Sequence, residues 1–218
     1  MSSFKRHVFW LALFAVGISS TSGAQKPNDE DYHLFFSRKF PGSIPEYFEV
    51  EIEKSSKAIY REGSQEEPLE FELTAGDLSQ LEKHIKPLDY FRFSLVHNRK
   101  VAFTGEKIFR YTDAGGNSFE TKFNHTENSD AKALVTWFLN VSETLRHRIE
   151  LERLAQFDRL GVNKRLLQFQ ISLDKGRIVA PKQMLPVLRR ISKDMKIMHL
   201  SRSRAAGIVH RIEQTAGE

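Results

Sequence analysis

Tyr47-Phe48-Glu49-Val50-Glu51-Ile52-Glu53 is the stretch that decides the fold class. Phe48, Val50 and Ile52 fall on one side of an extended chain and the glutamates on the other. A side-chain period of two belongs to a strand with one face buried in a sheet. The flanking sequence repeats the pattern. Ala58-Ile59-Tyr60-Arg61 reads as a partner strand across a turn at 54–57, and Leu69-Glu70-Phe71-Glu72-Leu73 alternates again after Pro68. Thr74-Ala75-Gly76-Asp77 opens a helix with Leu78, Leu81 and Ile85 at helical spacing, and Pro87 stops it. Residues 101–104 and 107–111 read as strands around Gly105. Asp113-Ala114-Gly115-Gly116-Asn117 is a turn that returns the chain along 118–123.

The period changes at Asn128-Ser129-Asp130, a good set of helix-capping residues. Leu134, Phe138, Val141, Leu145 and Ile149 then recur every three or four residues, which predicts a helix to Leu160 with Gly161 as its C-cap. A second helix starting at Asn163 carries Leu166, Leu167 and Ile171 and ends at Gly176. Pro181 begins a third stretch with Leu185, Leu188, Ile191, Met195 and Met198, and a last helix covers 204–214. Strands with one helix come first and helices follow. That segregation predicts an α+β fold: an antiparallel sheet with one packed helix over 25–127, then a basic helical region over 128–218.

Residues 1–24 have the layout of an export leader. Lys5-Arg6-His7 is a basic start, 8–18 is an apolar run of eleven residues, and Ser22-Gly23-Ala24 sets small residues before Gln25. The run is too short to span a bilayer. The expected product is a chain over 25–218, periplasmic or extracellular, without a transmembrane anchor after cleavage. It contains no cysteine, so packing rather than disulfides must hold it together. The same absence removes thiolate metal sites, a cysteine nucleophile and a lipidated cysteine from consideration.

The formal net charge of +5 conceals a split. Residues 25–127 hold fourteen Lys/Arg against nineteen Asp/Glu, whereas 128–218 hold seventeen against nine. Opposed halves of this kind suggest that the acidic sheet face and the basic helices recognise each other, within one chain or between two. Arg189, Lys193 and Lys196 are placed on one helical face opposite Leu188, Ile191 and Met195, with Arg202, Arg204 and Arg211 extending the charge. Such a face suits a protein partner or an anionic envelope surface. Nucleic acid is not an expected partner of an exported chain.

Glu143, His147 and Glu150 recur at i, i+4 and i+7 on one helix face, ligand types able to hold zinc or a related metal. On the helical wheel they lie away from Leu145 and Ile149, which favours a solvated face stabilised by ion pairs instead. Glu49, Glu51, Glu53, Glu70 and Glu72 form an acidic row that reads as the wet face of an antiparallel sheet. No HExxH, GxSxG, phosphate-binding loop or GxGxxG occurs, and no cofactor is implied. The sequence therefore points to an exported, non-enzymatic binding or structural protein. The alternative is a secreted hydrolase or metal-dependent enzyme with a site assembled from distant residues.

Overall fold

The strand at the centre of the sheet, β1 (Tyr32–Lys39), is one that the periodicity argument did not single out. Tyr32, Leu34 and Phe36 alternate onto the buried side, but the Phe35-Phe36 doublet and the charged end at Arg38 blur the pattern. The computed structural model describes residues 31–63, 67–97 and 100–215, so the leader expected at 1–24 lies outside the described residues. β1 is flanked by β2 (Tyr47–Glu53) and β5 (Glu106–Asp113). β3 (Lys57–Glu62), β4 (Leu69–Glu72) and β6 (Ser118–Phe123) complete an antiparallel six-stranded sheet in the order β4-β3-β2-β1-β5-β6. Phe36 pairs with Val50 on one side and Phe109 on the other, so the apolar positions of three strands stand in one row.

That row is covered by α1 (Ala75–Ile85) and α2 (Ser129–Phe157). Thr74 caps α1, with Asp77 returning the bond to the Thr74 backbone, and Leu81 and Ile85 face the sheet. In α2, Phe138 stacks on Phe36 with ring centroids 4.4 Å apart, and the Tyr60 hydroxyl lies 2.8 Å from Ser142 Oγ. Helix and sheet are thus joined by both apolar burial and a buried polar pair. Between α1 and β5 the chain makes a 3₁₀ turn over 86–91, and Phe91 stacks on Phe109 at 4.9 Å. The segment 101–104, read from the sequence as a strand, is not one. It is an exposed approach to β5, fastened by Thr104 N–H donating to Asn124 Oδ1.

α2 is long enough to serve two cores. Ala131, Leu134, Phe138, Val141 and Leu145 belong to the sheet's core. Leu151 and Leu154 belong to a second core formed with α3 (Gly161–Asp174), α4 (Leu185–Lys193) and α5 (His199–Thr215). Here the expected boundaries shift. α2 stops at Phe157 rather than Leu160, and Gly161 opens α3 instead of capping α2; its N–H donates to Asp158. A 3₁₀ turn over 181–184 precedes α4, which ends at Lys193, so Lys196 does not share a helical face with Arg189 and Lys193. Met195 and Met198, expected in the core, are exposed in the following turn. α5 begins five residues earlier than expected, at His199 rather than Arg204. Five α-helices and a six-stranded antiparallel sheet make the fold α+β. Among the described residues no helix is long and apolar enough to cross a membrane.

The side of the sheet away from α2 carries the glutamate row. Arg61 on β3 reaches Glu49 at 3.0 Å and Glu51 at 2.7 Å, and Arg110 pairs with Glu120 at 2.6 Å. Because Phe48, Val50 and Ile52 face the helices, the alternating glutamates must face away from them. The acidic face therefore does not meet the basic helices within one chain. The row's Glu49 and Glu51 are answered inside the sheet, and much of the helical region's charge inside the helices, as with Arg189 and Glu213 at 2.6 Å, while Arg146 of α2 reaches Glu62 on the helix-facing side of β3.

Candidate functional site

A cleft of about 520 Å³ opens where the ends of β1 and β2 meet the middle of α2 and the outer side of α3. Its apolar wall is Ile44, Pro45, Phe48, Leu139 and Ile171; its polar wall holds Arg38, Arg146, Arg165, Glu143, His147 and Ser172. Each polar group reaches the cleft for a local reason. Arg38 follows Tyr32, Leu34 and Phe36 on the inward side of β1, two residues beyond the point where α2 covers it. Glu143, Arg146 and His147 lie on the side of α2 that α3 approaches.

His147 is 5% exposed, not solvated as the helical wheel suggested, because α3 covers that face of α2. Its ring packs edge-on to Phe169 at 5.3 Å, and Nε2 lies 3.9 Å from Glu143 Oε1. Burial, then the charges of Arg165 and Arg146, push the imidazole down to about 4, so it is neutral at ordinary pH. Its Nδ1 and the Arg165 Nε are buried without a hydrogen-bond partner among the described residues. Ser172 donates to Glu143 at 2.5 Å, which leaves that hydroxyl committed to a carboxylate rather than to the imidazole.

The three guanidiniums differ in how they are answered. Arg146 is tied to Glu62 at 3.0 Å and to the Ile44 carbonyl at 2.8 Å, and Glu150 sits between Arg146 and Arg165. Among the described residues Arg38 has no carboxylate partner; its guanidinium lies 5.0 Å over the Phe40 ring. Burial lowers it from the usual arginine range. Directly across the ladder from Arg38 stands Lys107, itself buried. Its ammonium donates to the carbonyls of Thr104, Gly105 and Asn124 at 2.7–3.2 Å. Burial first, then Arg38, brings it down to about 8. Like charges opposite one another in a sheet are destabilising, and among the described residues no carboxylate pairs with either.

Of the metal-ligand candidates, Glu143 and His147 line this cleft, while Glu150 is held by two arginines. Among the described residues no three His, Cys, Asp or Glu side chains gather to hold a metal ion. The basic candidates lie elsewhere. Arg189 pairs with Glu213, and Arg204 donates to Asn163 and Gln170 on α3. Arg202 leans on Met195, and Lys193 and Lys196 stand exposed at the end of α4. Arg38, Lys107 and Arg165 were not singled out from the sequence. The readable signal was a cation at an inward strand position, as at Arg38 after Tyr32, Leu34 and Phe36. Comparison with known proteins finds no matching family model and no similar sequence among curated proteins.

Proposed function

We propose that the protein is an exported binding protein that takes up a small amphipathic anion, a carboxylate with an apolar body, in the cleft beside Arg38. The carrying observation is the Arg38–Lys107 pair: two cations stand opposite each other in the ladder, neither with a carboxylate partner among the described residues, and Arg38 lines the cleft beside Ile44, Phe48 and Leu139. An anion placed there would relieve their repulsion and form a charge-assisted hydrogen bond to a guanidinium that has room for a bidentate partner. The cleft volume is in the range of small-molecule sites. Ile44, Leu139 and Ile171 would take the apolar body, and the free His147 Nδ1 and Arg165 Nε add polar reach at the floor. Binding rather than acyl transfer is supported by Ser172, whose hydroxyl is engaged with Glu143 and not with an imidazole. Export is supported by the leader pattern at 1–24.

The test is thermal melting with octanoate, acetate and octanol. Ligand that binds only the folded chain raises the midpoint. Octanoate should raise it more than either fragment, since it alone combines charge with an apolar body. No shift with octanoate, or an equal shift with octanol, overturns the reading.

A further inference from the structure

Five large apolar side chains crowd one end of the helical unit. Phe157 and Leu160 lie where α2 turns into α3; Met195, Met198 and Leu200 lie where α4 turns into α5. Their exposures, 75%, 76%, 78%, 44% and 56%, leave most of this surface in water. The two turns are neighbours in space. Ala155 and Gln156 share a hollow with Asp194 and Ile197, and Arg204 of α5 donates to Asn163 in the first turn of α3 at 3.3 Å. Leu167, two turns along α3 from Leu160, is exposed as well. Exposed apolar residues scattered singly need no explanation, but a cluster of this kind marks an interaction surface.

The charge around the cluster says what kind. The segments 153–164 and 190–202 carry seven Arg/Lys against two Asp. Both aspartates are engaged locally, Asp158 accepting from the Gly161 N–H and Asp194 from the Lys196 N–H. Among the described residues no carboxylate pairs with the side chains of Arg153, Arg159, Lys164, Arg190, Lys193 or Lys196. Some exposed cations elsewhere pair with acids, as Arg110, Lys122, Arg189 and Arg211 do, and others such as Lys57 and Lys132 stand alone among the described residues; at the tip six unpaired cations gather around one apolar cluster. An apolar tip inside a ring of unanswered cations is complementary to a surface that is apolar within and anionic at its rim.

We infer that this end of the helical unit docks on an anionic lipid surface. Phe157, Leu160, Met195 and Leu200 enter the boundary between headgroups and acyl chains, and the surrounding lysines and arginines meet the phosphates. The attachment is peripheral: only the tips of two turns enter. A second copy of this chain is a poorer occupant, because a two-fold contact would set each cationic ring against its own image. The cleft beside Arg38 is a separate feature, and this assignment does not depend on it.

The test is sedimentation with vesicles of phosphatidylglycerol mixed into phosphatidylcholine, against phosphatidylcholine alone, using the protein in its naturally processed form. Two paired variants are compared with the natural chain: Met195→Glu with Leu200→Glu, and Lys193→Glu with Lys196→Glu. Lys83→Glu, an exposed cation on α1 far from the tip, is the control. Each lysine near an anionic surface contributes about a fivefold gain in partition, so the lysine pair should lose at least about tenfold. The apolar pair should lose a comparable factor, Lys83→Glu none, and added salt should weaken attachment as the Debye length shrinks. Melting temperatures of all variants confirm that the fold survives. The inference is overturned if phosphatidylglycerol vesicles bring down no protein, or if the tip variants sediment as the natural chain does. It is likewise overturned if gel filtration shows a dimer that Met195→Glu with Leu200→Glu dissolves while no vesicle binding occurs.

Discussion

Replacing His147 with glutamine should flatten part of the pH dependence of stability. In the folded chain the ring stays neutral down to about 4, whereas the unfolded chain protonates it near the ordinary imidazole value of 6.5. Between those values the unfolded state holds the extra proton, so acid favours unfolding. The sign is therefore fixed. The contribution of the neutral, buried ring is fully present above about pH 6.5, falls as the pH falls, and is gone below about pH 4. At about 1.4 kcal/mol per pH unit, the natural chain should lose about 2 kcal/mol from this group on going from neutral pH to about pH 5. The whole window is worth about 3 kcal/mol. Urea unfolding of the natural chain and of His147→Gln across the window isolates the effect, because other titrating groups are common to both. Proton NMR of the imidazole follows the same group directly. Parallel stability curves for the two proteins, or an imidazole that titrates near 6.5 in the folded chain, would refute the reasoning, because either means that water reaches the ring.

Phe138→Ala should cost about 3–5 kcal/mol by chemical denaturation, because the ring is fully buried against Phe36 and Phe109 with no solvent to fill its place. Gly105→Ala should cost about 2 kcal/mol or more: φ is +97° and a Cβ there would sit 2.9 Å from Phe40 Cβ. Intact mass of the product isolated after export should correspond to a chain beginning at Gln25; a product that keeps residues 8–18 shows that this segment is an anchor instead.

Much of the architecture is legible in residue spacing because each element has one wet face. Residues 47–53 and 69–73 alternate cleanly, and β2 and β4 stand where that alternation puts them. β1 is harder to read because it is paired on both edges and Phe35, on the outer side, is shielded by Arg110 at 5.0 Å; an aromatic on each side erases the period. The same logic explains His147. A helical wheel divides α2 into one apolar and one polar side, but this helix is packed by the sheet on one side and by α3 on another, so a polar position became interior. Met195 and Met198 fail in the opposite direction. Their spacing continues that of Leu188 and Ile191, but the helix ends at Lys193, and a turn carries them into solvent. The cleft itself joins residues from positions 38 to 172, and only the fold brings them together.

Calorimetric titration of octanoate into the natural protein and into Arg38→Gln tests the central claim most directly. A charge-assisted hydrogen bond is worth about 1.5–3 kcal/mol, so loss of the guanidinium should weaken binding at least about tenfold. The melting temperature of the free protein should not fall, since Arg38→Gln also removes the repulsion felt by Lys107. The account predicts saturable uptake of one octanoate per chain by the natural protein and weak or no uptake by Arg38→Gln. Equal affinity in the two proteins, or no saturable uptake by the natural chain, contradicts it.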